Sequence, residues 1–84
     1  MEELVPTEFE QGHILIGLKQ SQKAVAEGRA KKAYVALDAE ERVRTPFIKL
    51  CAANDVAVVD VSSMGALGEA CKIDVGAAVV VELL

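Results

Sequence analysis

The chain has 84 residues, 52% of them apolar and 26% charged, with a net charge of −4. That length fits a single domain, residues 1–84, hiding only about 60 to 65% of its unfolded surface, and no Pro-, Ser- or Gly-rich tract marks a linker or disordered tail. No apolar run reaches the roughly 18 residues of a membrane span, and Met1–Glu10 carries four glutamates in place of a basic, apolar signal sequence, which points to the cytoplasm.

The acidic segment 1–11 leaves room for one helical turn. After it, "ILIG" (14–17) reads as a short apolar strand ending in glycine. The polar, alanine-containing stretch that follows predicts a helix of about ten residues, stopped by Gly28. "KKAYVALD" (31–38), with Tyr34 and Val35 in a short apolar run, and "DVAVVDV" (55–61) and "GAAVVVELL" (76–84), rich in β-branched residues, predict strands. Between the first two of these lies "RTPFIKLCAAND", where Thr45 suits a cap, Pro46 the first turn, and Asn54 the terminator of a helix. "SSMGALGEACK" (62–72) predicts a short helix capped by Ser62 or Ser63, with Met64, Leu67 and Cys71 on its apolar side. Gly65 and Gly68 disfavour that helix on propensity unless a neighbouring backbone passes close by. Strands alternating with helices predict an α/β fold with helices on both faces of a parallel or mixed sheet, and the nearly continuous apolar strands agree with burial on both sides.

Reactive constellations are absent from the sequence. Cys51 and Cys71 lie among small or apolar neighbours and read as reduced core thiols; with His13 as the single histidine, no metal-ligand spacing is available. There is no GxSxG, HExxH, CxxC or phosphate-binding P-loop, and Asp38, Glu40 and Glu41 read as solvated loop carboxylates. No enzyme activity and no cofactor are expected.

Charge is unevenly placed. "GLKQSQKAVAEGRAKK" (17–32) holds Lys19, Lys23, Arg29, Lys31 and Lys32 against Glu27 alone, a local +4, which leaves −8 for the remainder. Such asymmetry steers a polyanion to one surface. On a helix, Lys19, Gln20 and Lys23 share a face, while Ser21, Ala24 and Val25 turn elsewhere. Lysines in the amino-terminal turns oppose the helix macrodipole by a few tenths of a kcal/mol each, a cost that a bound anion relieves. Gly17 permits close approach of a phosphate to the free amides, and Gln20 can donate and accept at a base edge. The competing reading is a solvated lysine face with Lys23 paired to Glu27.

"GLKQSQKAV" after a short strand, then "AYVALDAE", then "VSSMGALGEACKIDVGAAVVV", resembles the L7Ae/L30e ribosomal protein family, particularly its small bacterial kink-turn-binding members. The resemblance spans residues 12–84, and its most specific parts are G-x-K-Q-x-x-K and L-G-x-A-x-x-I-[DE]-V-G-A, at opposite ends of the sequence. It implies a three-layer α-β-α sandwich with a central four-stranded mixed sheet. It also implies binding to kink-turns, which are RNA duplexes bent sharply beside tandem sheared G·A pairs, in ribosomal or regulatory RNA. Carried over by position, Gly17, Lys19, Gln20 and Lys23 would enter the groove at those pairs. Ile73, Asp74 and Val75 would form the apolar loop that covers unstacked bases, with Lys72 beside it. The resemblance implies a monomer, possible ribosome association and no membrane partner.

Some positions depart from the family pattern. Leu18 stands where a small or polar residue is commoner, Lys72 replaces a usual glycine, and "SSMGALGE" has no lysine but includes Glu69. A second function class follows from the acidic composition: a descendant of the same fold whose surface meets a protein partner in a ribosome-associated assembly.

Overall fold

The computed structural model describes residues 13–84, so the expectations for the acidic amino-terminal segment lie outside the described residues. The elements alternate as predicted: β1 (Ile14–Ile16), α1 (Leu18–Ala26), β2 (Ala30–Ala36), α2 (Glu41–Ala53), β3 (Ala57–Val61), α3 (Met64–Ala70) and β4 (Val79–Leu83). They form one four-stranded sheet in the order β1-β4-β2-β3. β2 and β3 are parallel, as a strand pair joined through a helix can be, whereas β4 runs antiparallel to both β1 and β2.

Strand periodicity divides the core into two. Ala33 and Val35 of β2, Val79 and Val81 of β4, and Val58 of β3 face α1 and α2, where Val25, Phe47 and Cys51 are buried. Tyr34, Ala36, Val61 and Val80 face the other way, towards Leu67, Ala70 and Cys71 around α3. The result is an α/β fold of three layers, with β2 and β4 buried on both faces. Each fully buried valine or leucine contributes roughly 1.5–3 kcal/mol, so the central strands carry much of the driving force of this small chain. The two cysteines form no disulfide and are buried in the core on opposite faces of the sheet. Burial pushes the Cys51 thiol up to about 11 and also raises that of Cys71, which disfavours the reactive thiolate. Among the described residues, no helix is long and apolar enough to cross a membrane.

All three helices end in the same hydrogen-bonded turn, with a left-handed residue just beyond the last helical carbonyls. Gly28 (φ 75°), Asp55 (φ 58°) and Lys72 (φ 61°) occupy that position. The following amides of Arg29, Val56 and Ile73 donate back to the carbonyls of Ala24, Cys51 and Gly68 at 2.9, 2.9 and 3.1 Å. Only the first of the three residues is a glycine, which lacks the Cβ that crowds a carbonyl in this conformation. Lys72→Gly is therefore expected to raise stability by about 1 kcal/mol, moving the midpoint of a circular-dichroism melt up by roughly 4–8 °C for a domain of this size.

Element boundaries depart from the sequence reading in two informative places. α2 begins a full turn before Thr45: Glu40 is the extended residue at its start, and the amides of Val43 and Arg44 donate to the Glu40 carbonyl at 2.9 and 3.0 Å. Pro46 consequently sits inside the helix, where it removes one backbone donor; the burial of Phe47 and Cys51 outweighs that loss. The last strand starts at Val79 instead of Gly76, because Ala77 donates to the Met64 carbonyl of α3 at 3.0 Å and not to a neighbouring strand.

Candidate nucleic-acid interface

The pairing directions collect the ends of β1, β2 and β3 and the beginning of β4 along one edge of the sheet. Backbone hydrogen bonds fasten that edge: Gly17 N–H donates to Val79 O at 3.0 Å, Ala36 N–H to Ala78 O at 2.9 Å, and Leu37 N–H to Val61 O at 2.8 Å. Among the described residues each of the three helices starts from this edge, so three helix amino termini, each with a positive partial charge, converge there.

One of those termini is capped by side chains, and a second carries an acidic first turn without a side-chain cap. Ser63 Oγ accepts from Ala66 N–H at 3.0 Å, and Asp38 Oδ1 accepts from Met64 N–H at 2.8 Å, so α3 is capped twice. α2 carries Glu41 in its first turn, and Glu40 precedes it. α1 has neither device: Gly17 offers no side chain, no capping bond is made, and no acidic residue occupies its first turn. Gly17 also adopts φ 110°, ψ 155°, a conformation essentially restricted to glycine, with nothing within 4 Å of where a Cβ would stand. The open first turn thus presents oriented amides to an anion.

Lys19, Gln20 and Lys23 are exposed beside it, while Ser21, Ala24 and Val25 are buried. Leu18 packs towards the core beneath α1 and α2 and so takes no part in the outward face. The expected alternative pairing of Lys23 with Glu27 does not form: Glu27 Oε1 accepts from Arg29 Nε at 2.9 Å instead. Neither Lys19 nor Lys23 makes an ion pair among the described residues. Lys23 falls in the last turn of this short helix, where a cation is favoured, so only Lys19 opposes the macrodipole. Arg29, Lys31 and Lys32 lie beyond the far end of α1, about 13 Å away by helical rise. The charge balance is also sharper than it first looks. Every one of the nine basic residues lies after position 13 and four of the thirteen acidic ones lie before position 11, so residues 13–84 are neutral overall.

The segment between α3 and β4 returns along α3 and is held against it. A Cβ on Gly68 would overlap the Val75 carbonyl oxygen, and one on Gly76 would stand 3.0 Å from Met64 Cβ. The close approach that the sequence reading required for Gly68 is therefore present; Gly65 has only Ser63 Oγ nearby, at 3.7 Å. Ile73 turns inward and packs on the α3 side of the core, whereas Val75 is 70% exposed and Asp74 is exposed. Lys72 sits at the end of α3 remote from Met64. Val75 precedes Val79, the residue that holds Gly17, by four positions, which limits its separation from that strand end to about 14 Å. Gly17, Lys19, Gln20 and Lys23 thus lie at and along α1, Val75 lies against α3 within about 14 Å of Val79, and Ile73 anchors the loop from below.

Two neighbours of this surface escaped the sequence reading. Leu37 is 52% exposed and Met64 37% exposed, and with Val75 they are the large exposed apolar side chains of this edge. Leu37 had been assigned to the strand 31–38, but β2 ends at Ala36. Met64 had been assigned to the apolar side of its helix, yet as the first residue after the Ser63 cap it projects past the buried stripe of Leu67 and Ala70.

The chain is similar to several known proteins. An RNA-binding protein of Geobacillus thermodenitrificans is 47% identical over 73 residues, covering 82% of this chain and 84% of its own. The RNA-binding protein YbxF of Geobacillus stearothermophilus is 48% identical over 73 residues, with 82% of this chain and 84% of its own covered. Among solved structures, a Giardia lamblia 15.5kD RNA binding protein superposes with a TM-score of 0.82 at 27% identity, covering 87% of this chain; the chain spans 62% of that protein's length. A Bacillus halodurans protein of unknown function shares the fold, with a TM-score of 0.81 at 22% identity. The family profile described as Ribosomal protein L7Ae/L30e/S12e/Gadd45 matches residues 1–83, nearly the whole chain, and with it the open helix terminus and the glycine-held loop find a common setting: the chain belongs to that family.

Proposed function

We propose that this protein binds structured RNA and recognises and stabilises a kink-turn, acting by binding and not by catalysis, as a monomer in the cytoplasm. The observation that carries the reading is the contrast among the helix termini. Among the three described helices α1 alone has neither a side-chain cap nor an acidic first turn, and beside its uncapped amides stand Lys19, Gln20 and Lys23 without a carboxylate partner among the described residues. Family membership and the names of the relatives support RNA as the polyanion.

The division of labour follows from RNA itself. A duplex hides its base edges in a deep, narrow major groove, so specificity is found at irregular sites where edges and unstacked faces are available. Lys19 and Lys23 supply salt-sensitive attraction to phosphate, and Gln20 reads a base edge. Val75, with Leu37 and Met64, offers an apolar surface that can cover the face of an unstacked base. Because an RNA that already samples the kinked form needs only a population shift, no chemical step is required.

Titration into a fluorescently labelled kink-turn RNA tests the proposal. Submicromolar binding with bending is expected, reported by energy transfer between the RNA arms, and at least about a tenfold loss when the G·A pairs are scrambled, the size of one lost base-edge contact. Equal, weak binding to any duplex refutes recognition of the kink. A protein that binds no RNA would instead favour the protein-interaction reading, which rests on the glutamates of residues 1–10.

A further inference from the structure

The bond between Asp38 and Met64 joins two segments 26 residues apart, at the centre of the exposed apolar surface. α3 has a sufficient local cap in Ser63, whose hydroxyl accepts from Ala66 N–H. The Asp38 carboxylate adds a connection between the β2–α2 turn and the start of α3. Met64 is then held at both of its backbone groups: its N–H donates to Asp38 Oδ1 at 2.8 Å, and its carbonyl accepts from Ala77 N–H at 3.0 Å. The turn itself is fixed by Leu37 N–H to Val61 O at 2.8 Å and Ala39 N–H to Ala36 O at 3.2 Å. One continuous path thus runs from Leu37 through Asp38 and Met64 to Ala77, Gly76 and Val75. The three exposed apolar side chains of the edge all hang from it.

We infer that Asp38 is a positioning residue for RNA recognition, setting the spacing of Leu37, Met64 and Val75 through its bond to the Met64 amide. The inference rests on the proposed RNA-binding reading. Its sign is diagnostic. A carboxylate at the edge of a polyanion site opposes binding through its charge, so removing it should strengthen binding if charge were its only role. A positioning role predicts the reverse. It also predicts no change in salt dependence, because the phosphate contacts belong to α1.

The test compares Asp38→Ala, Asp38→Asn and Asn54→Ala with the wild-type chain in the kink-turn titration at several salt concentrations. Asp38→Asn keeps an acceptor oxygen without the charge. Asn54→Ala removes the bond from Asn54 Nδ2 to Leu50 O (2.9 Å) at the end of α2 remote from this edge, and so controls for general loss of stability. Asp38→Ala should weaken binding by about tenfold, on the scale of a single specific contact, with the salt slope unchanged. Asp38→Asn should bind at least as tightly as wild type, since it keeps the acceptor and loses the opposing charge, and the control should stay near wild type. Tighter binding by Asp38→Ala, or equal loss in all three variants, overturns the inference. Methyl relaxation in the free protein separates this failure from failure of the RNA reading. Asp38→Ala should mobilise Met64 and Val75 together while Asp38→Asn does not, and unchanged methyl order overturns the positioning role whether or not the wild-type chain binds RNA.

Discussion

Gly68→Ala should destabilise the protein by about 3 kcal/mol, the upper end of the range for overpacking a close contact. A cooperative melt should then fall by roughly 12 °C or more. The added methyl would overlap the Val75 carbonyl oxygen and also press on the Gly76 backbone at 3.1 Å. These are main-chain atoms, so no rotamer change relieves the clash. Either α3 tilts away from the sheet, with Leu67 and Cys71 losing their burial, or the segment carrying Val75 is displaced. Gly65→Ala is the matched comparison. Its position is exposed and its new Cβ meets only Ser63 Oγ at 3.7 Å, so the better helix former should be neutral or stabilising by up to about 1 kcal/mol. Equal behaviour of the two variants in calorimetry would contradict the close approach described for Gly68.

Reversing both exposed lysines of α1 should have the largest effect on binding. With Lys19→Glu and Lys23→Glu combined, two attractive phosphate contacts become repulsive. Kink-turn affinity is expected to fall by at least about 100-fold near physiological salt, taking the general scale of counterion-linked contacts. The single change Lys19→Ala should weaken binding to all RNAs and lower the slope of log K against log salt by about 0.7–0.9. Gln20→Ala should leave the salt slope alone and erode the preference for intact G·A pairs, by about 1–3 kcal/mol of discrimination. Neither lysine is tied to a carboxylate among the described residues, so these substitutions leave no stranded partner, and thermal stability should change little. If the double reversal binds kink-turn RNA like wild type, α1 is not the reading surface.

The strands and helices were legible because burial imposes period and composition: short apolar runs became β2, β3 and β4, and Gly28 ended α1. The serine pair 62–63 and the run after it announced α3, and of the two candidate caps Ser63 is the one used. Pro46 misled, since proline favours a first helical turn while the actual start was set by Glu40 and the acidic first turn. Tertiary closeness was harder to read. That Asp38 reaches Met64 and that Gly68 lies against Val75 are consequences of how distant segments stack, and no local pattern encodes them. For the same reason Leu37 and Met64 escaped notice, since exposure of an apolar side chain depends on what fails to cover it. Lys72 illustrates the opposite case: its departure from the family glycine was visible in sequence, and the left-handed φ of 61° supplies the meaning.

β4 is the last strand in chain order, yet it lies between β1 and β2. A nascent chain that has made everything up to α3 can pair β2 with β3, but it has no strand on which β1 can dock. Nor has it the Val79 carbonyl that secures Gly17 at the mouth of α1. Among the described residues, β1 and the Gly17 amide thus both depend on β4, through long-range pairing of the kind that slows small-domain folding. A variant lacking Val79–Leu83 is expected to lose the β1 pairing and the Gly17 anchor together.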